Sequence, residues 1–385
     1  MKSSGDKLVY LIQEPGCLDP NTGAFQHITS GYRELNKRFR VGIYLEGVKV
    51  DLSNPVNGQA AEGNPPVKEV KRRGLLYGTV KDILYFWHGV RLTFRLVKLF
   101  RQEKPSGVYE RASYLGFSGL LAARLRRVPH FYEANGLQFE NRKRYYTSLL
   151  SGLVKRIERK CYTCSDHVFF VGSYGDYWRI AKENWTNVEN GVESELLSGL
   201  PPKATVDGPL RICFVGRMMW HHRLDILVDA LMLLEDKDLV KVHFIGSGFD
   251  EIIGRIEQLG IAVSDHGFLD RSEIIAILGE MDVGLICGSP PYNSNMKLFD
   301  YGAAGCTVMS APVYHIKSLY PNEVIFFDGS PEDLARQLSK VANDPAILKS
   351  YREILFERIA NEFTWERIYR AVSDTMERIM KSYGL

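Results

Sequence analysis

Long apolar runs are missing from this chain. The most aromatic and apolar stretch, around Ile83–Phe100, is broken by Arg91, Arg95 and Lys98, so no segment is expected to span a bilayer. A leader pattern is missing too: Met1–Asp6 are polar, and the apolar run Leu8–Ile12 is too short for a signal core. Cysteine is scarce, at six residues, and Cys161-x-x-Cys164 has no further ligands at metal spacing. Cys213, Cys287 and Cys306 fall in or beside apolar runs, where a thiol acts as a small hydrophobe. Unpaired thiols in a reducing cytosol are therefore expected rather than a zinc module. There is no internal repeat, no low-complexity tract and no nucleic-acid module pattern. The loop after the first apolar run is not Gly-x-Gly-x-x-Gly, which counts against a dinucleotide-dependent dehydrogenase.

What is present is an ordinary globular composition, 45% hydrophobic and 25% charged, over 385 residues, a length that suits two domains. The net charge of +3 hides an asymmetry. Residues 1–200 hold 30 basic and 20 acidic side chains, leaving 19 and 26 for the rest, so the two parts are net +10 and −7. The first half therefore favours an anionic neighbour, such as acidic lipid headgroups or a phosphorylated acceptor. Nucleic acid is not expected, because aromatic residues are thinly interleaved with the basic clusters Arg142-Lys143-Arg144 and Lys155-Arg156.

Short apolar runs alternate with helical patterns throughout. Strands are expected at Leu8–Ile12, Val41–Leu45, Gly107–Glu110, His130–Glu133 and His167–Val171. A second series is expected at Arg211–Val215, Lys241–Ile245, Val283–Cys287, Thr307–Ser310 and Val324–Phe327. Two such series argue for two doubly wound α/β domains with parallel sheets. The stretch Ser198–Leu210, with Gly199, Pro201, Pro202, Gly208 and Pro209, reads as the linker between them. Near the end, Trp365, Ile368, Val372, Met376 and Ile379 recur at helical spacing, behind Thr364 as the expected N-cap.

The densest chemistry lies in Asn295-Met296-Lys297-Leu298-Phe299-Asp300-Tyr301-Gly302, a short helix that follows a Pro-rich loop. A helix start offers backbone N–H groups and the positive dipole end to an anion. Asp300, one turn in, is placed to accept hydrogen bonds from sugar hydroxyls. Upstream, a strand runs into Gly216-Arg217, which sets a guanidinium at the carboxyl edge of a sheet, where ligands bind and where paired hydrogen bonds suit a diphosphate. His221-His222-Arg223 follow, and another strand ends at Gly246-Ser247-Gly248, where glycine lets a ligand approach the backbone.

In this order the motifs resemble the donor domain of the retaining, metal-independent family 4 glycosyltransferases. The quoted pieces are Val215-Gly216-Arg217, Phe244-Ile245-Gly246-Ser247-Gly248, His266-Gly267-Phe268-Leu269, Asp282-Val283 and Lys297–Gly305. Val188–Val192 and Phe363-Thr364-Trp365 resemble the family's two interdomain crossings. The resemblance implies the GT-B fold, two facing Rossmann-like doubly wound domains with a C-terminal crossover helix. It implies an acceptor-binding domain over 1–197, with a helix at about 364–385 packing back on it, and a donor-binding domain over 210–363. It implies that Arg217 and the backbone of Asn295, Met296, Lys297 and Leu298 meet the donor diphosphate, beside Gly216, Gly246 and Gly248. Asp300 stands for the second glutamate of the family's Glu-x7-Glu motif, which holds the ribose. Three positions depart from the pattern. His222 replaces a lysine, leaving Arg223 as a substitute cation; Tyr292 replaces the first glutamate; and Asp300 is shorter by one carbon than the glutamate it replaces.

In the first half, Gly23 opens a helix whose core face is expected to carry Phe25, Ile28, Tyr32 and Leu35. By the same resemblance Gly23 lies on the acceptor side, as does Tyr292. Glu133 and Asn135, at a strand end, are the catalytic candidates there, alongside Arg217 and Asp300 in the second half. Glu110-Arg111 reads as a structural ion pair. Along Lys81–Arg101, the cations His88, Arg91, Arg95 and Lys98 form one stripe among Trp87, Val90, Phe94, Val97 and Phe100. Such a stripe marks either a helix with a solvated face or one lying at an anionic membrane.

The resulting expectation is a retaining glycosyltransferase with no metal and no cofactor beyond its nucleotide-diphosphate-sugar substrate, UDP or GDP favoured as the carrier. It would act on a sugar or lipid-linked acceptor in surface polysaccharide or glycolipid assembly, in the cytoplasm or at the inner face of the membrane. The alternatives are a non-catalytic nucleotide-sugar or partner-binding protein and a GT-B epimerase.

Overall fold

The computed structural model describes residues 6–20, 22–52, 73–180, 182–197 and 208–384. The expected polar start over 1–5, most of the expected linker, 198–207, and the last residue of the expected crossover helix lie outside the described residues. The chain divides into one unit formed by residues 1–189 and 365–385 and a second formed by 190–364. Residues 190–197, which the sequence reading joins to the first domain, thus go with the second unit.

The first unit is built on a seven-stranded sheet in the order β3-β2-β1-β4-β5-β6-β7. Its strands are β1 (Lys7–Ile12), β2 (Arg40–Leu45), β3 (Val48–Lys49), β4 (Gly107–Arg111), β5 (His130–Ala134), β6 (His167–Val171) and β7 (Trp185–Val188). Only the β2–β3 pair is antiparallel. β4, β5 and β6 are buried along their full length. That is why their apolar residues sit side by side, without the strict polar alternation of a half-exposed strand. The helix Gly23–Leu35 starts at Thr22, whose Oγ1 accepts from the Phe25 N–H, and it buries Ile28 and Leu35.

The second unit has six parallel strands in the order β10-β9-β8-β11-β12-β13. They are β8 (Leu210–Arg217), β9 (Val240–Ser247), β10 (Ala262–Asp265), β11 (Val283–Ile286), β12 (Thr307–Ser310) and β13 (Val324–Phe326). Two of its helices are capped by local chemistry. Asp270 and Glu273 form a reciprocal capping box at the helix Arg271–Glu280, and Ser330 caps Pro331–Asn343 with proline at its first position. Val192 pairs with Thr364 where the chain enters and leaves this unit.

The last helix, Trp365–Ser382, belongs to the first unit. Its buried line is Trp365, Tyr369, Val372, Met376 and Met380, with Ile368 and Ile379 at the margins. The expected stripe is therefore rotated, because the Tyr369 hydroxyl reaches a buried charge cluster instead of solvent. Among the described residues, no helix is long and apolar enough to cross a membrane.

Candidate functional site

In an open parallel sheet, the crevice for a ligand lies outside the carboxyl ends of the two strands whose connections leave in opposite directions. In the second unit these strands are β8 and β11. β8 ends in Gly216-Arg217 beside the end of β9, Gly246-Ser247. Gly216 and Gly246 have φ of +128° and +133°, where side chains are strained. A Cβ built on Gly246 would collide with the Gly216 carbonyl oxygen. Gly248, at φ +85°, comes close to Met218. The edge is thus a side-chain-free floor, with Arg217 exposed at its end.

The loop after β11 leads into the helix Met296–Ala303. Asn295 holds the N-cap position without capping: its Oδ1 accepts from the Ser289 hydroxyl at 2.8 Å, and its Nδ2 donates to the Asn293 carbonyl at 3.2 Å. The Asn295 side chain therefore leaves the first-turn N–H groups of this helix uncapped. Lys297 folds inward from that turn. Its Nζ lies 3.6 Å from the centroid of the Phe214 ring and 3.8 Å from where a Gly216 side chain would begin. The Nζ is buried and makes no hydrogen bond among the described residues. Burial lowers its pKa to about 7, against the opposing influence of Cys287 and Asp300. Leu298 anchors the helix in the core.

Asp300, one turn on, is 5% exposed and sits 2.7 Å from an Arg271 guanidinium nitrogen. Arg271 also donates to Glu193 at 3.0 Å. Burial raises the Asp300 pKa, and Arg271 opposes that shift. Sequence reasoning missed this Glu193–Arg271–Asp300 chain, whose members share no motif spacing. Asn190, in the Asn-Gly-Val segment, braces the same loop: its Nδ2 donates to the Ser294 carbonyl at 2.8 Å, and its N–H to the Ser294 hydroxyl at 3.0 Å.

The departures from the resemblance acquire a physical form here. His222 is partly buried, its Nδ1 accepts from the Met219 N–H at 3.2 Å, and its ring packs 5.0 Å from Phe214. Burial, then the charge on Lys297, pushes its pKa down to about 2. It is a neutral hydrogen-bonding ring rather than a cation. Arg223, taken as the substitute cation, holds Asp225 with two nitrogens at 3.0–3.2 Å. The buried positive charge beside the glycine floor is that of Lys297. Tyr292 packs against Tyr314, with ring centroids 5.2 Å apart.

In the first unit, Gly23 is exposed at the first position of its helix. Glu133 lies at the centre of a sealed cluster. Its Oε2 accepts from the Tyr109 hydroxyl at 2.6 Å and contacts His27 Nε2 at 3.1 Å. Its Oε1 accepts from Arg111 at 2.5 Å and from Asn135 at 2.7 Å. Burial alone would raise this carboxyl, but the charges of His27 and Arg111 outweigh it and hold Glu133 well below the usual carboxylate range. Both oxygens being occupied, Glu133 is tied into the fold by four side chains. Asn135 serves the same cluster. Glu110 and Arg111 do not pair with each other as expected; Glu110 meets His130 Nε2 at 2.6 Å, and Arg111 meets Glu133.

The same unit has a cavity of about 760 Å³ that sequence reasoning did not find. It opens at the carboxyl ends of β1 and β4, this sheet's own reversal point, past Gln13 and Ser113. Arg142 lies over both Tyr85 and Tyr114, at 4.9 and 5.1 Å from the ring centroids, and donates to the Tyr85 hydroxyl at 2.7 Å. Its residues come from five separate segments, so no local pattern announces it.

This architecture is that of the GT-B glycosyltransferases, and residues 225–374 match the family described as glycosyl transferase-like. Among known proteins, an uncharacterized glycosyltransferase of Methanocaldococcus jannaschii is 20% identical over 216 residues, 51% of this chain and 55% of that relative's length. A glycosyltransferase from Rickettsia africae superposes with a TM-score of 0.72 at 13% identity, covering 98% of this chain and 99% of that one. Anabaena HepE, solved with UDP and glucose, gives 0.68 at 14% identity over 97% and 100%. Sucrose-phosphate synthase from Thermosynechococcus elongatus gives 0.71 at 14% over 98% and 100%. At such identities the structural likeness is one of fold.

Proposed function

We propose that the chain is a retaining, metal-independent glycosyltransferase that takes a nucleotide-diphosphate-sugar, with UDP or GDP as carrier, and delivers the sugar to a hydroxyl acceptor. The observation that carries this reading is the buried Nζ of Lys297, which has no hydrogen-bond partner among the described residues and lies beside the glycine floor at the start of the helix Met296–Ala303, where Asn295 does not cap. A buried cation without a counter-ion is costly unless a ligand anion supplies one. A diphosphate there would meet Lys297, the first-turn N–H groups and Arg217, while Asp300, oriented by Arg271, would accept from the ribose. The UDP held by HepE, a protein of the same fold, supports the choice of nucleotide.

In the reaction, the bond from the anomeric carbon to the diphosphate breaks and a bond to the acceptor oxygen forms on the same face. The acceptor's proton passes to the departing phosphate. The cations stabilise the charge that builds on the leaving group, so catalysis is chiefly electrostatic. The acceptor is a sugar or a lipid-linked sugar, used in surface polysaccharide or glycolipid assembly at the inner face of a membrane, in keeping with the +10 charge of residues 1–200.

A thermal-shift series with UDP, GDP, ADP and dTDP tests the carrier, since a ligand that binds the native state raises its melting point. Turnover of the matching nucleotide-sugar, lost in Arg217→Ala, establishes the transferase. No shift with any of the four overturns the reading. The neutral state of His222 favours one rival, a protein that binds the donor without turning it over; a strong shift with no transfer or hydrolysis would select it.

A further inference from the structure

Asparagine is among the strongest N-cap residues, because its side-chain oxygen accepts an N–H from the second or third residue of a helix. Asn295 stands in that place before Met296–Ala303, with an extended backbone at φ −89° and ψ 110°, and makes no such bond. Two contacts turn its amide away. The Ser289 hydroxyl donates to Oδ1 at 2.8 Å, and Nδ2 donates to the Asn293 carbonyl at 3.2 Å. The second contact fixes the orientation of the amide, since only its nitrogen end can donate to a carbonyl. The loop carrying these partners is itself closed. The Asn293 N–H donates to the Pro290 carbonyl at 3.1 Å, and Asn190 holds Ser294 through both its N–H and its Nδ2.

Asn295 is 9% exposed, so an Oδ1 released by Ser289 would need a new donor. The Leu298 N–H already donates to the Asn295 carbonyl at 3.0 Å. That leaves the Lys297 N–H, second in the helix, as the donor an N-cap oxygen takes. The same N–H faces the diphosphate in the donor reading, on the residue whose buried Nζ makes no hydrogen bond among the described residues. A cap oxygen and a phosphate oxygen would compete for it. The cap would also place partial negative charge at the positive end of the helix dipole and weaken the pull on an anion.

We propose that Ser289 is a positioning residue that holds the Asn295 oxygen aside and so keeps the first turn of Met296–Ala303 open to the diphosphate. This role rests on the donor reading and goes beyond it, because Ser289 acts through Asn295 rather than on the ligand. A serine that only braced the loop would cost stability when removed. A serine that holds back a cap leaves the protein as stable as before, since the cap bond replaces the one lost, and impairs diphosphate binding alone.

Two full-length variants separate these cases: Ser289→Ala and the double variant Ser289→Ala/Asn295→Ala. In titration calorimetry, Ser289→Ala should weaken UDP by about 3–20-fold, the worth of one N-cap bond, with a melting point no lower than the parent's. Deleting the competing oxygen as well should recover most of that loss, so the double variant should bind UDP more tightly than Ser289→Ala. In hydrogen exchange without ligand, the Lys297 amide should be slower in Ser289→Ala than in the parent, and fast again in the double variant. Equal UDP affinity in the parent and Ser289→Ala overturns the proposal. A double variant no tighter than Ser289→Ala also overturns it and makes Ser289 a ligand contact or a brace of the loop. So does a Lys297 amide that exchanges equally in the parent and Ser289→Ala. A parent that binds no UDP sinks the donor reading instead; the exchange measurement needs no ligand and still decides whether Ser289 holds Asn295 off the helix.

Discussion

The two sheets handle a buried charge in opposite ways. At the carboxyl edge of β5, Glu133 has both oxygens occupied by His27, Tyr109, Arg111 and Asn135, and the Tyr369 hydroxyl, from the last helix, contacts His27 at 3.0 Å. At the carboxyl edge of β8, Lys297 is buried with no hydrogen bond among the described residues. A saturated ion belongs to the fold, because its partners compensate its desolvation. An unsaturated one stores an unmet interaction and points to a ligand. Burial alone does not separate the two cases; the partner count does.

Removing each charge should therefore have opposite consequences, and the larger effect falls on the saturated site. Glu133→Gln leaves Arg111 and His27 facing each other without a counter-ion, which costs about 3–5 kcal/mol. At roughly 2–4 °C per kcal/mol for a unit of this size, the melting temperature should fall by about 6–20 °C in calorimetry. A change within a degree would mean that the cluster is dispensable. Lys297→Met should leave the ligand-free protein as stable as the parent or more so, yet weaken UDP by about 10–100-fold, the worth of a hydrogen-bonded charge. Titration calorimetry that finds UDP affinity unchanged in this variant would move the diphosphate elsewhere. A smaller effect is expected for Arg271→Met. Without its guanidinium, the buried Asp300 becomes harder to ionise and accepts less well, so UDP should weaken by about 3–10-fold, with Arg271→Lys partly restoring it. Equal affinity in all three proteins would show that Asp300 needs no orienting partner.

The comparison also explains what could be read from the sequence. All ten expected strands are present, since short runs rich in β-branched and aromatic residues between helical patterns mark them. The strands that the pattern does not show, β3, β7 and β10, lie at the sheet edges and are mostly exposed or half-buried. Lys297 and Asp300 were legible as a pair because one helix carries both. Arg271 was not, because it meets Glu193 across 78 residues and no periodicity links them. Glu133 stood out as a polar residue at a strand end, and the sequence contains nothing that distinguishes a catalytic carboxylate from one enclosed by His27, Arg111 and a distant tyrosine. The cations of the helix Leu75–Glu103 were legible, but the exposure of Leu76, Trp87 and Phe94 on it was not, because apolar residues at helical spacing are ordinarily core.

The subtlest consequence is a pair of opposed pH slopes. In the ligand-free protein Lys297 titrates near 7, against 10.5 for an ordinary lysine. Between those values the unfolded chain binds more protons than the folded one, so this group's contribution to stability rises with pH across that window. A bound diphosphate keeps the ammonium charged, so binding above pH 7 must take up a proton, and UDP affinity should fall by up to about tenfold per pH unit there. Ionisation of UDP itself works the other way near neutrality, which makes Lys297→Met the necessary reference. Scanning fluorimetry from pH 6.5 to 9 should show, relative to that variant, a ligand-free melting point that climbs and a UDP-induced shift that shrinks. If the parent and Lys297→Met follow the same pH course, Lys297 is not the group that meets the phosphate, and the contrast between an occupied and an unoccupied buried charge loses its functional half.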